Sequence, residues 1–152
     1  MRQNASKICL GTTLAFMFFA VSLSAANHHS LNGTWTLEPT RSHFDGEPAI
    51  QTGSVTINDR EHNITVTRSF SYDGAEHSFE YSFSTDGREN SSIKEGHSFK
   101  SKAKWEGNVL RVTTLDNGQS TVERYSLAPD GSLMLVVERG DHRPVTLYFQ
   151  RQ

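Results

Sequence analysis

Cysteine is nearly missing from this 152-residue chain: one residue, Cys9, stands close to the start. No internal disulfide can staple the fold, so a buried apolar core has to hold it. Blocks of like charge are missing too, and no basic stripe runs along any segment, which argues against nucleic acid as a partner. No segment keeps a helical period for more than two turns, which excludes a helix bundle and the long crossovers of a parallel sheet. After the first 26 residues no apolar run is long enough for a membrane-spanning helix. The chemistry-bearing patterns are also absent. There is no nucleophile elbow, phosphate loop, metal-ligand spacing or close histidine–carboxylate pair. The sequence therefore calls for no catalytic residue, metal or cofactor, and leaves open only an enzyme whose residues meet in space.

The chain begins with a segment of a different kind. Arg2 and Lys7 flank the start of an uncharged apolar run from Ile8 to Leu23, and Ser24-Ala25-Ala26 supplies small residues for cleavage. This predicts a secretory signal peptide over residues 1–26, with an uncleaved anchor as the alternative. Cys9 is not a lipid-attachment site, because Ile8 fills the position before it and the apolar run follows rather than precedes. The expected mature domain, residues 27–152, holds no cysteine and keeps 13 of the 15 basic residues against 17 acidic, a net charge of −4. The predicted destination is a periplasm or the exterior of the cell, with no membrane span after cleavage.

What the domain does contain is alternation. Gly33, Trp35 and Leu37 share one face of the first predicted strand. Glu38 to Phe44 reads as one helical turn, with Pro39 near its start. Val55 and Ile57 mark a second strand. The third is the most regular: Ile64, Val66, Arg68, Phe70 and Tyr72 on one face, Thr65, Thr67, Ser69 and Ser71 on the other. Asp73-Gly74 predicts a hairpin, and Phe79, Tyr81 and Phe83 line its second arm. Asp86-Gly87 reads as another hairpin turn, and Arg88 to Gly96 as a poor edge strand or loop. Phe99, Ala103 and Trp105 alternate with Lys100, Lys102 and Lys104. Further strands follow around Leu110 and Val112, Val122 to Leu127, Leu133 to Val137, and Val145 to Phe149, separated by Asp116-Asn117-Gly118, Pro129-Asp130-Gly131 and Arg139 to Pro144. The expectation is an all-β, antiparallel up-and-down barrel of eight to ten strands, with a jelly roll or sandwich as the alternative.

Leu31-Asn32-Gly33-Thr34-Trp35, with Pro39 and Ser42-His43-Phe44, resembles the first-strand motif of lipocalins. Thr85-Asp86-Gly87, Ala103 to Asn108 and Tyr125 to Gly131 extend the likeness to lipocalin-like domains of small exported bacterial proteins. The resemblance covers nearly all of the domain. It implies a binding barrel, and implies that a basic residue late in the chain, Arg151 or Arg143, crosses the first-strand tryptophan. Two departures limit it. Lipocalins have Thr-Asp-Tyr where this chain has Thr85-Asp86-Gly87. The last strand, Tyr148-Phe149-Gln150-Arg151, also lacks the Arg-x-Tyr carboxylate anchor of fatty-acid-binding proteins, and the helix pair that caps those barrels is missing. A carboxylate pocket is therefore not implied.

Arg68 is the most informative single residue. Its register points it inward, where an unpaired guanidinium is prohibitively costly. Glu123, in phase with Tyr125 and Leu127, is a partner of the right sign; the alternatives are a ligand acid group, a bulge that turns Arg68 outward, or a place at the barrel's mouth that leaves it wet. The expected ligand contacts are Arg68, Phe70, Tyr72, Phe79, Tyr81, Phe83, Phe99, Trp105, Glu123 and Tyr125. The same aromatics could instead fill a closed core. Trp35 is expected in the core. The histidines are scattered, most of them at turns. Cleavage after Ala26 would expose Asn27-His28-His29, whose third-position histidine suits copper or nickel. The glycosylation sequons at Asn32, Asn63 and Asn90, and Arg139-Gly140-Asp141, are short enough to arise by chance. The functional expectation is an exported binding protein for a small apolar or amphipathic molecule. The alternative is a filled β-domain that meets other proteins through its surface.

Overall fold

Strand formation follows the alternation wherever a Gly, Asp or Asn pair can reverse the chain. A computed structural model describes residues 28–94 and 97–152, so the expected leader and its cleavage site lie outside the described residues. Ten strands follow one another: β1 (Gly33–Leu37), β2 (Thr52–Arg60), β3 (Asn63–Tyr72), β4 (Ala75–Ser84), β5 (Asp86–Lys94), β6 (His97–Glu106), β7 (Val109–Asp116), β8 (Gln119–Leu127), β9 (Leu133–Arg139) and β10 (Val145–Arg151). They form one antiparallel sheet in the order β4-β3-β2-β1-β10-β9-β8-β7-β6-β5. The first strand pairs with the last, Trp35 opposite Arg151 and Leu37 opposite Phe149. That pairing makes a nearly closed barrel and removes the sandwich and jelly-roll alternatives.

The ring is open at one place. β4 and β5 follow each other in the chain but are not hydrogen-bonded to each other. Asp86-Gly87 is therefore not the hairpin turn its composition suggested. The Thr85 N–H donates back to the His62 carbonyl at 2.8 Å, Asp86 accepts the Arg88 N–H at 2.9 Å, and the β5–β6 register shifts between Asp86 and Glu89. Gly87, at φ +79, sits in that bulge. The chain from Arg88 is an edge strand, as its polar composition implied, and pairs only with β6. Asp73-Gly74 and Asn117-Gly118 do form hairpin turns, each with both residues at positive φ.

The expected helical turn is a single tight reversal. Arg41 and Ser42 N–H groups reach the Glu38 and Pro39 carbonyls at 3.1 and 3.2 Å, and no helix forms. The backbone is claimed instead by β10, since Glu38 N–H donates to Tyr148 O and His43 exchanges both bonds with Thr146.

Inside, one half of the barrel is filled. Trp35, Ile57, Ile64, Val66, Leu110, Leu133 and Phe149 are inaccessible to solvent. Each such side chain stabilises by about 1.5–3 kcal/mol relative to exposure. Trp35 is core, as expected, and its indole N–H donates to the Leu31 carbonyl at 3.0 Å. Arg151 lies over the indole at 4.6 Å from the ring centre. Gly33 carries φ +138 beside that pair, a conformation that favours glycine.

Candidate functional site

The other half of the barrel is hollow. A cavity of about 550 Å³ opens at the end where β1 leads to β2, β3 to β4, β7 to β8 and β9 to β10. Phe44, Pro48 and Ile50, from the long β1–β2 connection, form one side of its mouth, and Glu47, Asp116 and Arg139 add charge there. Leu135, Val137 and Leu147 supply apolar wall from β9 and β10. A closed-core reading of the aromatics thus holds for one end of the barrel only.

Eight of the ten expected contacts line this space: Arg68, Phe70 and Tyr72 from β3, Phe79, Tyr81 and Phe83 from β4, Phe99 from β6 and Glu123 from β8. They come together because β3 and β4 pair with Arg68 opposite Phe79 and Val66 opposite Tyr81, keeping both alternations on the inner face. Across the open seam the Tyr81 and Phe99 rings meet edge to face at 5.9 Å. Phe70 fits because Gly53 faces it on β2, where a Cβ would collide with the ring.

Two expected contacts lie elsewhere. Tyr125 is buried below the cavity and reaches it only through Glu123. Trp105 is at the filled end, stacked on the His28 ring at 3.6 Å. Period-two alternation reports which face a residue takes but not how far along the barrel axis it sits. His77 is a further departure from expectation, although it does not line the cavity. It is not a turn histidine but lies in β4 opposite Phe70, with its ring 4.0 Å from Tyr72. Its in-phase position, two residues before Phe79, was the available signal.

Arg68 does point inward, and its partner is Glu123. Arg68 Nη1 donates to Glu123 Oε1 at 2.7 Å, with both side chains 11% exposed. The Tyr125 hydroxyl donates to the second oxygen, Oε2, at 2.8 Å. The guanidinium lies over the Tyr81 ring at 5.0 Å. Burial disfavours its charge, but the Glu123 carboxylate outweighs that, and the Arg68 pKa stands above the ordinary arginine value. Burial chiefly, with Glu123 adding to it, pushes the Tyr125 hydroxyl well up. One donor of the group, Arg68 Nε, is buried without a hydrogen-bond partner.

Among the described residues no group of three or more His, Cys, Asp or Glu could hold a metal ion. Asn27 lies outside the described residues. The two histidines that follow it are engaged by the fold: His28 Nε2 sits 2.8 Å from Asp59 Oδ2, and the His29 backbone N–H donates to Asn108 Oδ1 at 3.1 Å. No helix among the described residues is long and apolar enough to cross a membrane.

No family model and no curated protein matches the chain. Solved structures do. Secretory abundant heat soluble protein 4 from Ramazzottius varieornatus is 17% identical over 80% of this chain and 94% of its own, with a TM-score of 0.61. The wild-type fluorescent protein UnaG is 17% identical over 80% of this chain and 97% of its own, at a TM-score of 0.62. A fatty acid binding protein of Schistosoma mansoni, solved with arachidonic acid, is 18% identical over 80% and 95%, at 0.56. At these identities the likeness is one of fold: the chain has the antiparallel barrel architecture of the lipocalin-like and fatty-acid-binding proteins.

Proposed function

We propose that this protein is an exported barrel that binds a small, mainly apolar molecule. The observation that carries the reading is the aromatic-lined cavity of about 550 Å³, open at one end. Ligand sites are typically clefts of about 300–1,000 Å³ lined mainly by apolar and aromatic groups with a few polar ones. The filled-domain alternative needs an interior without such space. The neighbouring fold supports the reading as well, since the Schistosoma mansoni protein holds arachidonic acid. Export rests on the leader pattern of Arg2, Lys7, the Ile8–Leu23 run and Ser24-Ala25-Ala26.

Native mass spectrometry of the protein isolated from its own host tests both halves. The expected spectrum shows a polypeptide starting near Asn27 and a population carrying a retained organic adduct. A chain that keeps its first 26 residues removes the cleaved-leader reading. If an environment-sensitive naphthalene dye shows no saturable fluorescence rise with the purified domain, the binding reading fails.

A further inference from the structure

The charge arrangement inside the cavity restricts what the ligand's polar end can be. Among the described residues that line the space, Arg68 is the cation deep in it, and Arg139 is exposed at the mouth. The Arg68 charge is already balanced by Glu123 at 2.7 Å. Neither oxygen of that carboxylate is idle, because Arg68 takes one and the Tyr125 hydroxyl the other. The pair is therefore neutral as a unit, both carboxylate oxygens are engaged, and Glu123 takes only one of the five N–H donors of a guanidinium that lines the cavity.

We propose that the cavity selects an amphipathic molecule whose polar end is an uncharged acceptor, a hydroxyl or carbonyl on an apolar body, over the corresponding carboxylate. This rests on the binding function proposed above and names the class of ligand for it. An ionised acid brought to Arg68 would share one guanidinium with the Glu123 carboxylate, and two like charges around a single cation in a poorly hydrated site repel. A hydroxyl or carbonyl oxygen accepts a hydrogen bond from the guanidinium without adding charge. Glu47 and Asp116 at the mouth act in the same direction, because an entering anion meets two acids there against one exposed Arg139.

The test is competition of dodecanol, dodecanal and dodecanoate against the bound naphthalene dye, at about pH 8 so that the acid is ionised. The wild-type protein is expected to bind the alcohol and aldehyde at least about tenfold more tightly than the acid. Glu123→Gln removes the compensating charge and is expected to shift the ranking toward dodecanoate. Arg68→Met removes the donor but leaves the Glu123 carboxylate, so it is expected to weaken the alcohol and aldehyde while the acid stays the poorest; Arg68→Met with Glu123→Gln is expected to level the three. Circular dichroism of each variant checks that the barrel is intact, and the wild-type ranking decides the matter if a variant does not fold. Equal affinities, or tighter binding of dodecanoate by the wild type, overturn the selection for an uncharged end while leaving the binding function standing. Binding of none of the three, with no dye signal, overturns both.

Discussion

Arg68 and Glu123 stand or fall together. Taking away the cation leaves a carboxylate in the barrel interior that, among the described residues, keeps the Tyr125 hydroxyl as its hydrogen-bond donor. Arg68→Met is expected to lower stability in a urea titration by about 3–5 kcal/mol. Adding Glu123→Gln should recover part of that loss, because the pair shares one interaction and the two effects are not additive. Additive losses would mean that the two groups do not depend on each other. Gly53 is a second position where one atom decides the outcome. A Cβ there meets the Phe70 ring. Gly53→Ala should displace the ring into the cavity at a cost of about 1–3 kcal/mol, with weaker dye binding as its signature. An unchanged urea midpoint and unchanged dye affinity would show that Phe70 moves freely. The inward set of Arg68 could be read in advance, because nine residues from Ile64 to Tyr72 alternate without a fault. The need for a glycine opposite Phe70 could not, since it depends on which strand lies alongside.

The turn between β8 and β9 is tied both within itself and to the reversal after β1. Asp130 accepts both the backbone N–H of Ser132, at 3.0 Å, and its hydroxyl, at 2.6 Å. Arg41, in the tight reversal after β1, reaches its other oxygen at 2.8 Å. The Ser132 hydroxyl first, then the Ser132 N–H and the charge of Arg41, bring the Asp130 carboxyl down to about 2. A depressed carboxyl pKa means that the folded chain holds that proton less readily than the unfolded one. Its contribution is therefore complete above about pH 4 and disappears as pH falls through about 2. Asp130→Asn should lower the urea midpoint near neutrality, and the gap from wild type should close under strong acid. A gap of constant size across that range would mean that the turn's bonds do not depend on its charge. Pro129-Asp130-Gly131 was legible as a turn, and so were Asp73-Gly74 and Asn117-Gly118. Asp86-Gly87 misled because the dipeptide reports only that the chain bends, whereas the bulge and the Thr85–His62 bond send it away from β4. The stretch after Pro39 makes one turn of bonds between residues three apart and no more. The turn goes no further because the backbone on either side of it bonds to a strand more than a hundred residues later.

At the scale of the whole molecule, closure is made by a short strand. β1 spans only Gly33–Leu37 yet pairs with both β2 and β10. Trp35 anchors it, wholly buried and with its indole N–H satisfied. Trp35→Ala should cost about 3–5 kcal/mol. Near-wild-type stability in denaturant would mean that the first strand does not need its tryptophan to stay in the ring. The barrel itself was visible in the sequence as a succession of antiparallel arms with no room for crossovers. The division into a filled end and a hollow end was not, because Trp105 and Phe99 share a face and a strand while lying at different depths.

The missing ladder between β4 and β5 makes the barrel a hoop with one unlatched joint. Everywhere else its circumference is fixed by backbone bonds; there it is set by side chains such as Tyr81 and Phe99. A joint of that kind lets the girth of the hoop follow the girth of its guest, so a series of guests of increasing width should lose affinity gradually rather than abruptly. It also fixes where the wall opens first. Amides of β5 and the seam-facing amides of β4 should exchange with deuterium ahead of those in β1 and β10. Adding dodecanol should slow the seam more than the closing pair. Uniform protection around the ring would mean that the joint is latched in solution by contacts other than backbone hydrogen bonds.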